Sequence, residues 1–182
     1  MFDFNWQTPA TLKDGSTVIL RYPTVDDAEK LQYFINPIVK EDTFILLNED
    51  QTLNQEKAYL ANIISMMHQK TAIKICGYAE NKIVAAADVT RYLYKQNHVG
   101  RLGISISQEY RGMGLGKILM TEMLKQAKDI LGLKMIELTC YADNLAGQRL
   151  YTSLGFVEYG RVPGAIFYKG KYVDQLNFYK EL

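Results

Sequence analysis

A strand, a glycine-rich turn and a helix follow one another in the middle of the chain, and this succession constrains the fold most. Val99 to Ser107 alternates apolar and polar residues, as a half-buried strand does. From Leu115 the apolar spacing changes to three and four residues, which indicates a helix that Gly132 closes. Residues 135–141 alternate again. The two strands are therefore predicted to be parallel neighbours joined by a right-handed crossover.

Hydrophobic periodicity outside this unit predicts further strands and helices. The predicted strands lie at about 18–22, 71–79, 82–93, 156–161 and 172–179, and the predicted helices at about 24–36, 54–68 and 144–153. Turns are expected at Glu80-Asn81, Pro163-Gly164 and Lys169-Gly170. The chain is thus predicted to be an α/β protein, with a mixed sheet of about seven strands and about four helices.

Length and charge limit the number of domains and the partners. The chain has 182 residues, 48% of them hydrophobic, which predicts one domain over residues 1–182. Its 21 basic and 20 acidic residues leave a formal charge of +1, so no field attracts nucleic acid or an anionic membrane. We expect neither partner. Without a leader pattern or a long apolar run, the chain is predicted to be cytoplasmic.

Metal-ligating residues are few and scattered. The sequence contains Cys76, Cys140, His68 and His98, and no short spacing among them forms a zinc signature. Both cysteines fall within apolar, strand-like runs, which predicts buried thiols rather than a disulfide framework. No metal site is expected.

The turn from Arg111 to Gly116 is suited to a phosphate ligand. Glycines let the backbone approach closely, and a helix N-terminus offers unpaired N–H groups with a partial positive charge. Arg111 and Lys117 could add charge-assisted contacts. Spacing excludes two common phosphate loops. A dinucleotide fingerprint needs glycine where Lys117 stands, and a P-loop needs glycine at Arg111 and a hydroxyl at Ile118.

Two motifs in order resemble those of the GNAT superfamily of acetyl-CoA-dependent N-acetyltransferases. The first is the pyrophosphate motif, here Arg111-x-x-Gly114-x-Gly116. The second follows the next strand, as Asn144-x-x-Gly147-x-x-Leu150-Tyr151-x-x-Leu154-Gly155-Phe156, with Gly147 where the family more often has Ala. The resemblance implies a GNAT-like fold whose mostly antiparallel, twisted sheet splays open between parallel strands at 99–107 and 134–141.

The resemblance also implies which residues bind acetyl-CoA. Backbone groups near Ile104 and Ile106 would pair with the pantetheine amides and polarise the thioester carbonyl, although the side chains have an alternative role in the core. The implied cofactor-binding residues are Leu102, Ile104, Ser105, Ile106, Arg111, Gly112, Met113, Gly114, Leu115, Gly116, Lys117, Asn144 and Tyr151.

Tyr151 matches the family position that gives a proton to the departing CoA thiolate, so the resemblance implies a general acid. Its alternative interpretation is an ordinary core tyrosine. Asn144 and Tyr151 lie seven residues apart, on one face of a helix. An Asn at a helix start is usually a cap, yet Asp143 could serve as the cap here and free Asn144 for the cofactor.

The general base is not given by the resemblance. Many family members carry Glu near the position of Gly100, and this chain does not. Asp88 and His98 are the base candidates, each with an alternative structural or solvated role. A water-mediated route is a further alternative.

The function implied is acetyl transfer to a primary amine by direct attack in a ternary complex. The acceptor is expected to be a small molecule or a peptide, and the acidic stretch between the first two helices would suit a cationic amine or simply be solvated. The alternatives are a non-catalytic acetyl-CoA-binding regulatory or sensor module and a nucleotide-binding regulator. Relatives often pair, which makes a homodimer a further expectation.

Overall fold

A computed structural model describes residues 3–182 as eight strands in one sheet and four α-helices. The strands are β1 (Gln7–Thr11), β2 (Thr17–Arg21), β3 (Ala72–Ala79), β4 (Lys82–Arg91), β5 (Val99–Ile106), β6 (Met135–Tyr141), β7 (Val157–Tyr168) and β8 (Lys171–Glu181). The helices are α1 (Ala28–Lys40), α2 (Leu53–His68), α3 (Leu115–Asp129) and α4 (Leu145–Ser153). Met1 and Phe2, which the predicted domain includes, lie outside the described residues.

The sheet order is β1-β2-β3-β4-β5-β6-β8-β7, and β5–β6 is its parallel pair. The other neighbours are antiparallel. Pairing between β5 and β6 runs over Val99–Met135, Gly100–Ile136 and Arg101–Glu137 and then stops. The predicted crossover unit and the splayed parallel strands are therefore confirmed, and the gap opens beside the second half of β5.

The two edge strands differ from the prediction. β1 was not predicted, because Pro9 interrupts a strand that is mostly exposed. Pro163-Gly164 was predicted as a turn, which is wrong: both residues lie within β7, at a shift of register between Val162 and Ile166. Proline lacks the N–H that a central strand needs, so both prolines occur in strands with one unpaired side. The Lys169-Gly170 turn is confirmed.

Apolar side chains cover both faces of the sheet. On one face, α1 and α2 pack against β3 and β4 through residues that include Phe34, Leu60 and Ile63. On the other face, α3 packs through Leu119 and Met123 among others. Helix α1 continues past the predicted end near residue 36, because burial of Ile38 in the last turn outweighs the hydrogen bond that Pro37 cannot make.

Among the described residues, no helix combines the length and apolar character that a membrane crossing requires. Within the same residues, no three His, Cys, Asp or Glu side chains come together as possible metal ligands.

Candidate active site

The glycine-rich turn leaves a row of backbone N–H groups at the start of α3. Gly112 and Gly114 have φ angles of 77° and 90°, a left-handed conformation that glycine adopts without strain. Lys117 and Ile118 are the first residues whose N–H groups donate into the helix, both to Gly114 O. In the described part of the chain, the N–H groups of residues 112–116 have no acceptor. They are available to an anion.

Gly116 brings three elements into contact. A Cβ at this position would lie 3.0 Å from Ile106 Cδ1 and 3.1 Å from Leu150 Cδ2. These separations are shorter than ordinary van der Waals contact, so a side chain would push the elements apart. The absent side chain therefore allows the start of α3 to lie against the end of β5 and against α4.

The end of β5 presents backbone groups to the gap. Ser107 N donates to Val84 O, on the side of β4, whereas Ile106 O accepts from Arg111 Nε at 3.0 Å, on the other side. Backbone groups of alternate residues lie on the same side of a strand. The N–H and C=O groups of Ile104 therefore also lie on the splayed side, where β6 no longer pairs with them.

These groups border a cavity of about 460 Å³, here the glycine-turn cavity. Its basic lining residues are Lys13, Arg111, Lys117 and Arg149. The structure brings most of the predicted cofactor-binding residues to this wall: Ile104, Ser105, Ile106, Arg111, Gly112, Gly114, Gly116, Lys117, Asn144 and Tyr151. Three others do not line it. Leu102 and Leu115 are buried in the core, and Met113 O accepts from Lys13 N.

Arg111 already has an anionic partner. Its guanidinium forms a two-bond contact with the Glu41 carboxylate, in which Nη2 lies 2.7 Å from Oε2 and Nη1 bonds Oε1. The hydrogen bond from Arg111 holds the pKa of Glu41 below its ordinary value. An anionic ligand in the glycine-turn cavity would compete with Glu41 for this side chain.

Asn144 is the N-cap of α4, and the interpretation that Asp143 serves as the cap is wrong. Asn144 Oδ1 accepts from Gly147 N at 2.9 Å, whereas the Asp143 carboxylate pairs with Lys171. The cap folds the Asn144 side chain over residue 147, where a Cβ would lie 2.7 Å from Asn144 Nδ2. The amide still lines the glycine-turn cavity. Gly147, rather than the usual Ala, makes room for this arrangement.

Tyr151 packs in the core and also lines the glycine-turn cavity. Its ring packs in the core, with ring centroids 6.2 Å from Phe156 and 5.9 Å from Phe178. The residue also lines the glycine-turn cavity, and its hydroxyl has no hydrogen-bond partner among the described residues. Burial raises the pKa of Tyr151 above its ordinary value. The hydroxyl therefore keeps its proton at neutral pH.

A second cavity, of about 310 Å³, is lined by residues of α1, α2, β3, β4 and β5 and is here the acidic cavity. Its ionisable lining residues are Glu56, Tyr59, Lys74 and Asp88. It shares Ile104 and Ser105 with the glycine-turn cavity. The two cavities therefore meet at the end of β5.

Three of the ionisable groups form one cluster. Lys74 Nζ lies 3.0 Å from Tyr59 Oη and 3.5 Å from Asp88 Oδ1, and Tyr59 Oη lies 3.4 Å from the same carboxylate oxygen. Burial opposes the charge of Lys74, yet Tyr59 and Asp88 outweigh burial and hold its pKa above the ordinary value. Lys74 is therefore a cation at neutral pH, and it compensates Asp88.

The two predicted base candidates have different surroundings. Asp88 lines the acidic cavity, whereas His98 is exposed and lines neither cavity. Gly100 lies in close packing, since a Cβ there would lie 2.6 Å from Leu133 Cδ1 and 2.8 Å from Val89 Cγ1. A glutamate side chain at residue 100 would have no space.

Neither Glu56 nor Lys74 was predicted from the sequence to be a site residue. Glu56 is 6% exposed on α2, and burial raises its pKa, with partial compensation from Lys74. In both cases the sequence places a charged residue at a position where the pattern predicts an apolar one. Glu56 lies four and seven residues before Leu60 and Ile63, on the stripe that α2 buries, and Lys74 interrupts an otherwise apolar strand.

The segment between α1 and α2, residues 41–52, contributes to both cavities and is here the connector. Ile45 lines the glycine-turn cavity and Leu47 lines the acidic cavity. Tyr141 Oη donates to Ile45 O at 2.7 Å, which ties the connector to β6. The connector is thus anchored between the two cavities.

Residues 35–156 match the sequence model of the acetyltransferase (GNAT) family. The chain belongs to this family. The GNAT resemblance predicted from the two motifs is thereby confirmed, and the match includes both motifs. A curated relative, the L-amino acid N-acetyltransferase AaaT of Escherichia coli strain K12, is 30% identical over 80 residues, which are 44% of this chain and 49% of the relative. The chain therefore matches about half the length of that relative.

Solved structures of GNAT proteins share the fold. An acetyltransferase of the GNAT family from Streptococcus pneumoniae has a TM-score of 0.82 and 26% identity, over 91% of this chain and 99% of that one. The yncA protein of Salmonella typhimurium has a TM-score of 0.80 and 16% identity, over 92% of this chain and 95% of that one. The predicted GNAT-like fold is confirmed, with eight strands rather than seven.

Proposed function

We propose that this chain is an N-acetyltransferase that moves the acetyl group of acetyl-CoA to a primary amine by direct attack in a ternary complex. The observation that carries the proposal is the meeting of two sets of backbone groups in one cavity. The row of N–H groups at residues 112–116 suits a pyrophosphate, and the free edge of β5 suits the amides of an extended pantetheine.

The side chains of the glycine-turn cavity support the same ligand. Among the described residues that line the cavity, four are basic and none is acidic, and Glu41 pairs with only one of the four, so the field favours a polyanion. Acetyl-CoA carries its phosphates at one end and its thioester at the other, and the wall of the cavity includes both the glycine turn and Tyr151. The related fold of yncA was solved with acetyl-CoA.

Two residues that line the glycine-turn cavity, Ile104 and Tyr151, can perform the chemistry. The N–H group of Ile104 would donate to the thioester oxygen and stabilise the charge that develops when the amine attacks the carbonyl carbon. Tyr151 would give its proton to the departing sulfur, because its hydroxyl is protonated and has no partner among the described residues. Acetyl-CoA supplies the activated acyl group.

Membership of the family indicates that the acceptor is an amine, but not which amine. The name of the E. coli relative points to the amino group of an amino acid, and a peptide N-terminus or an alkylamine offers the same nucleophile. The acidic cavity, which meets the glycine-turn cavity at Ile104 and Ser105, is the site assigned to this amine.

Calorimetry and a thiol-release assay together test the proposal. Acetyl-CoA should bind tightly, whereas ATP and NAD should not, and at least one amine of a panel should release free CoA thiol. Suitable amines are L-phenylalanine, L-phenylalaninamide, spermidine and an Ala-terminated tripeptide. Binding without thiol release from any amine would favour the non-catalytic acetyl-CoA module. Equal binding of ATP would reject the proposal.

A further inference from the structure

Glu56 is a buried carboxylate of the acidic cavity that has no ion-pair partner within the described residues and receives only partial compensation from Lys74. The residue is 6% exposed and lines the cavity. Its backbone N–H donates to Thr52 O, the first hydrogen bond of α2, but its carboxylate has no hydrogen bond or ion pair within the described residues. A largely buried carboxylate without a protein partner is costly, since no protein donor stabilises its charge. Such a group suits a ligand that brings a donor.

The other ionisable groups of the acidic cavity leave one negative charge uncompensated. Tyr59 on α2, Lys74 on β3 and Asp88 on β4 form their own cluster, and the residues that α1 and β5 contribute to the wall are not ionisable. Lys74 therefore balances Asp88, and Glu56 has no cation of its own. An alkylammonium entering the cavity would make the wall electrically neutral.

The acidic cavity, which Glu56 lines, adjoins the place where the reacting thioester is expected. Ile104 and Ser105 border both cavities, so an amine seated against Glu56 is on the side from which it can reach the end of β5. The close packing around Gly100 excludes a base at the position that many relatives use. His98 lies outside both cavities, and Asp88 is already paired.

We infer that the acidic cavity receives the ammonium form of the acceptor and that the Glu56 carboxylate takes its proton. This inference rests on the proposed acetyl transfer. Glu56 accepts one proton, and the neutral amine then attacks the carbonyl carbon. The C–N bond forms as the C–S bond breaks, and Tyr151 gives its proton to the sulfur. The second amine proton returns to Tyr151, and Glu56 releases its proton to solvent.

The pH dependence of kcat/KM for Glu56→Gln tests the inference, with the panel amine of highest wild-type kcat/KM as the probe. At pH 6.5 the variant should lose about 100-fold in kcat/KM. The loss should shrink as the pH approaches the pKa of the amine, because the free amine then needs no base. A residue with only a structural role would lower the rate equally at every pH. The Kd of acetyl-CoA should not change.

A control variant and a conservative variant separate the loss of the base from other effects of the substitution. Glu158→Gln removes an exposed carboxylate from β7, outside both cavities, and should leave the whole profile unchanged. Glu56→Asp withdraws the carboxylate by one methylene and should give an intermediate rate with the wild-type shape of profile. If Glu56→Gln does not fold, the rate and pH profile of Glu56→Asp test whether Glu56 is the base.

The outcomes separate the two proposals. If the wild-type enzyme releases thiol and Glu56→Gln has the same rate and profile, the role of Glu56 is overturned and acetyl transfer stands. The role also falls if Glu56→Asp behaves as Glu56→Gln does. If no panel amine releases thiol from wild-type enzyme that binds acetyl-CoA, the proposed function fails and the inference fails with it.

Discussion

The two cavities that meet at the end of β5 are built from different kinds of groups. The glycine-turn cavity is lined by backbone N–H groups and by four basic side chains, and none of the residues from 3 to 182 that line it is acidic. The acidic cavity contains two carboxylates and one lysine, and its backbone is paired within β3 and β4. One cavity is thus suited to a polyanion and the other to a cation.

This difference shows how the site can keep one ligand while its second ligand changes. Backbone donors persist through substitutions that preserve the glycine turn, so the anion site depends on few side chains. The acidic cavity depends on the individual side chains of Glu56, Lys74 and Asp88. Substitution of any of these would alter the charge that an acceptor meets.

The largest expected effect comes from Tyr151, which lines the glycine-turn cavity and whose hydroxyl has no partner among the described residues. Tyr151→Phe should lower kcat about 100-fold and leave the Kd of acetyl-CoA unchanged, because the ring still packs but the proton is absent. Thiol release and calorimetry measure the two quantities. Tyr159→Phe, on the exposed part of β7, is the matched control. Unchanged turnover in Tyr151→Phe would remove the residue from the role of acid.

Substitution of Arg111 tests whether the glycine-turn cavity binds an anion. Arg111→Gln should weaken acetyl-CoA binding about tenfold, because a charge-assisted contact to a phosphate is lost. The difference from wild type should decrease as salt is added. Calorimetry at two ionic strengths measures it, with Arg101→Gln on the exposed face of β5 as the control. An equal loss in both variants would indicate a general effect of charge.

Two acceptors that differ in charge test whether the acidic cavity prefers a cation. L-Phenylalaninamide should have a kcat/KM about fivefold above that of L-phenylalanine, because the single cation of the acidic cavity is already paired with Asp88. Thiol release with both amines at one fraction of free amine measures the preference. A preference for the free acid would mean that Lys74 receives the acceptor carboxylate, and it would reverse the assignment of charge in this cavity.

Glu41 should give the smallest effect. Glu41→Gln removes the competitor of the phosphates for Arg111 and should tighten acetyl-CoA binding about twofold to threefold. Titration calorimetry resolves such a change if wild type and variant are measured side by side. Weaker binding in Glu41→Gln would show that the carboxylate orients Arg111 for the ligand rather than withholding it.

Local patterns made the centre of the fold predictable. The alternation from Val99, the glycine turn and the period of α3 are each properties of adjacent residues, and the crossover rule then fixed β5 and β6 as parallel neighbours. The edges were less predictable. β1 and the second half of β7 pair on one side and contain Pro9 and Pro163, so their sequences resemble turns.

The same reasoning explains which parts of the site were predicted. Gly114, Gly116 and Tyr151 stand in contiguous motifs, and the structure places all three at one cavity. Glu56 and Lys74 come from α2 and β3, and only the packing of these elements brings them together with Asp88. A polar residue at an apolar position marked each of them, but the spacing could not show which partner it would meet.

The anchored connector has a consequence for the divergence of such enzymes. Because the connector lines both cavities and is tied to β6 through Tyr141, an insertion or deletion that reshaped the acidic cavity would also shift Ile45 in the wall of the glycine-turn cavity. New substrate preferences in this lineage should therefore arise by replacement of individual connector side chains, at constant segment length.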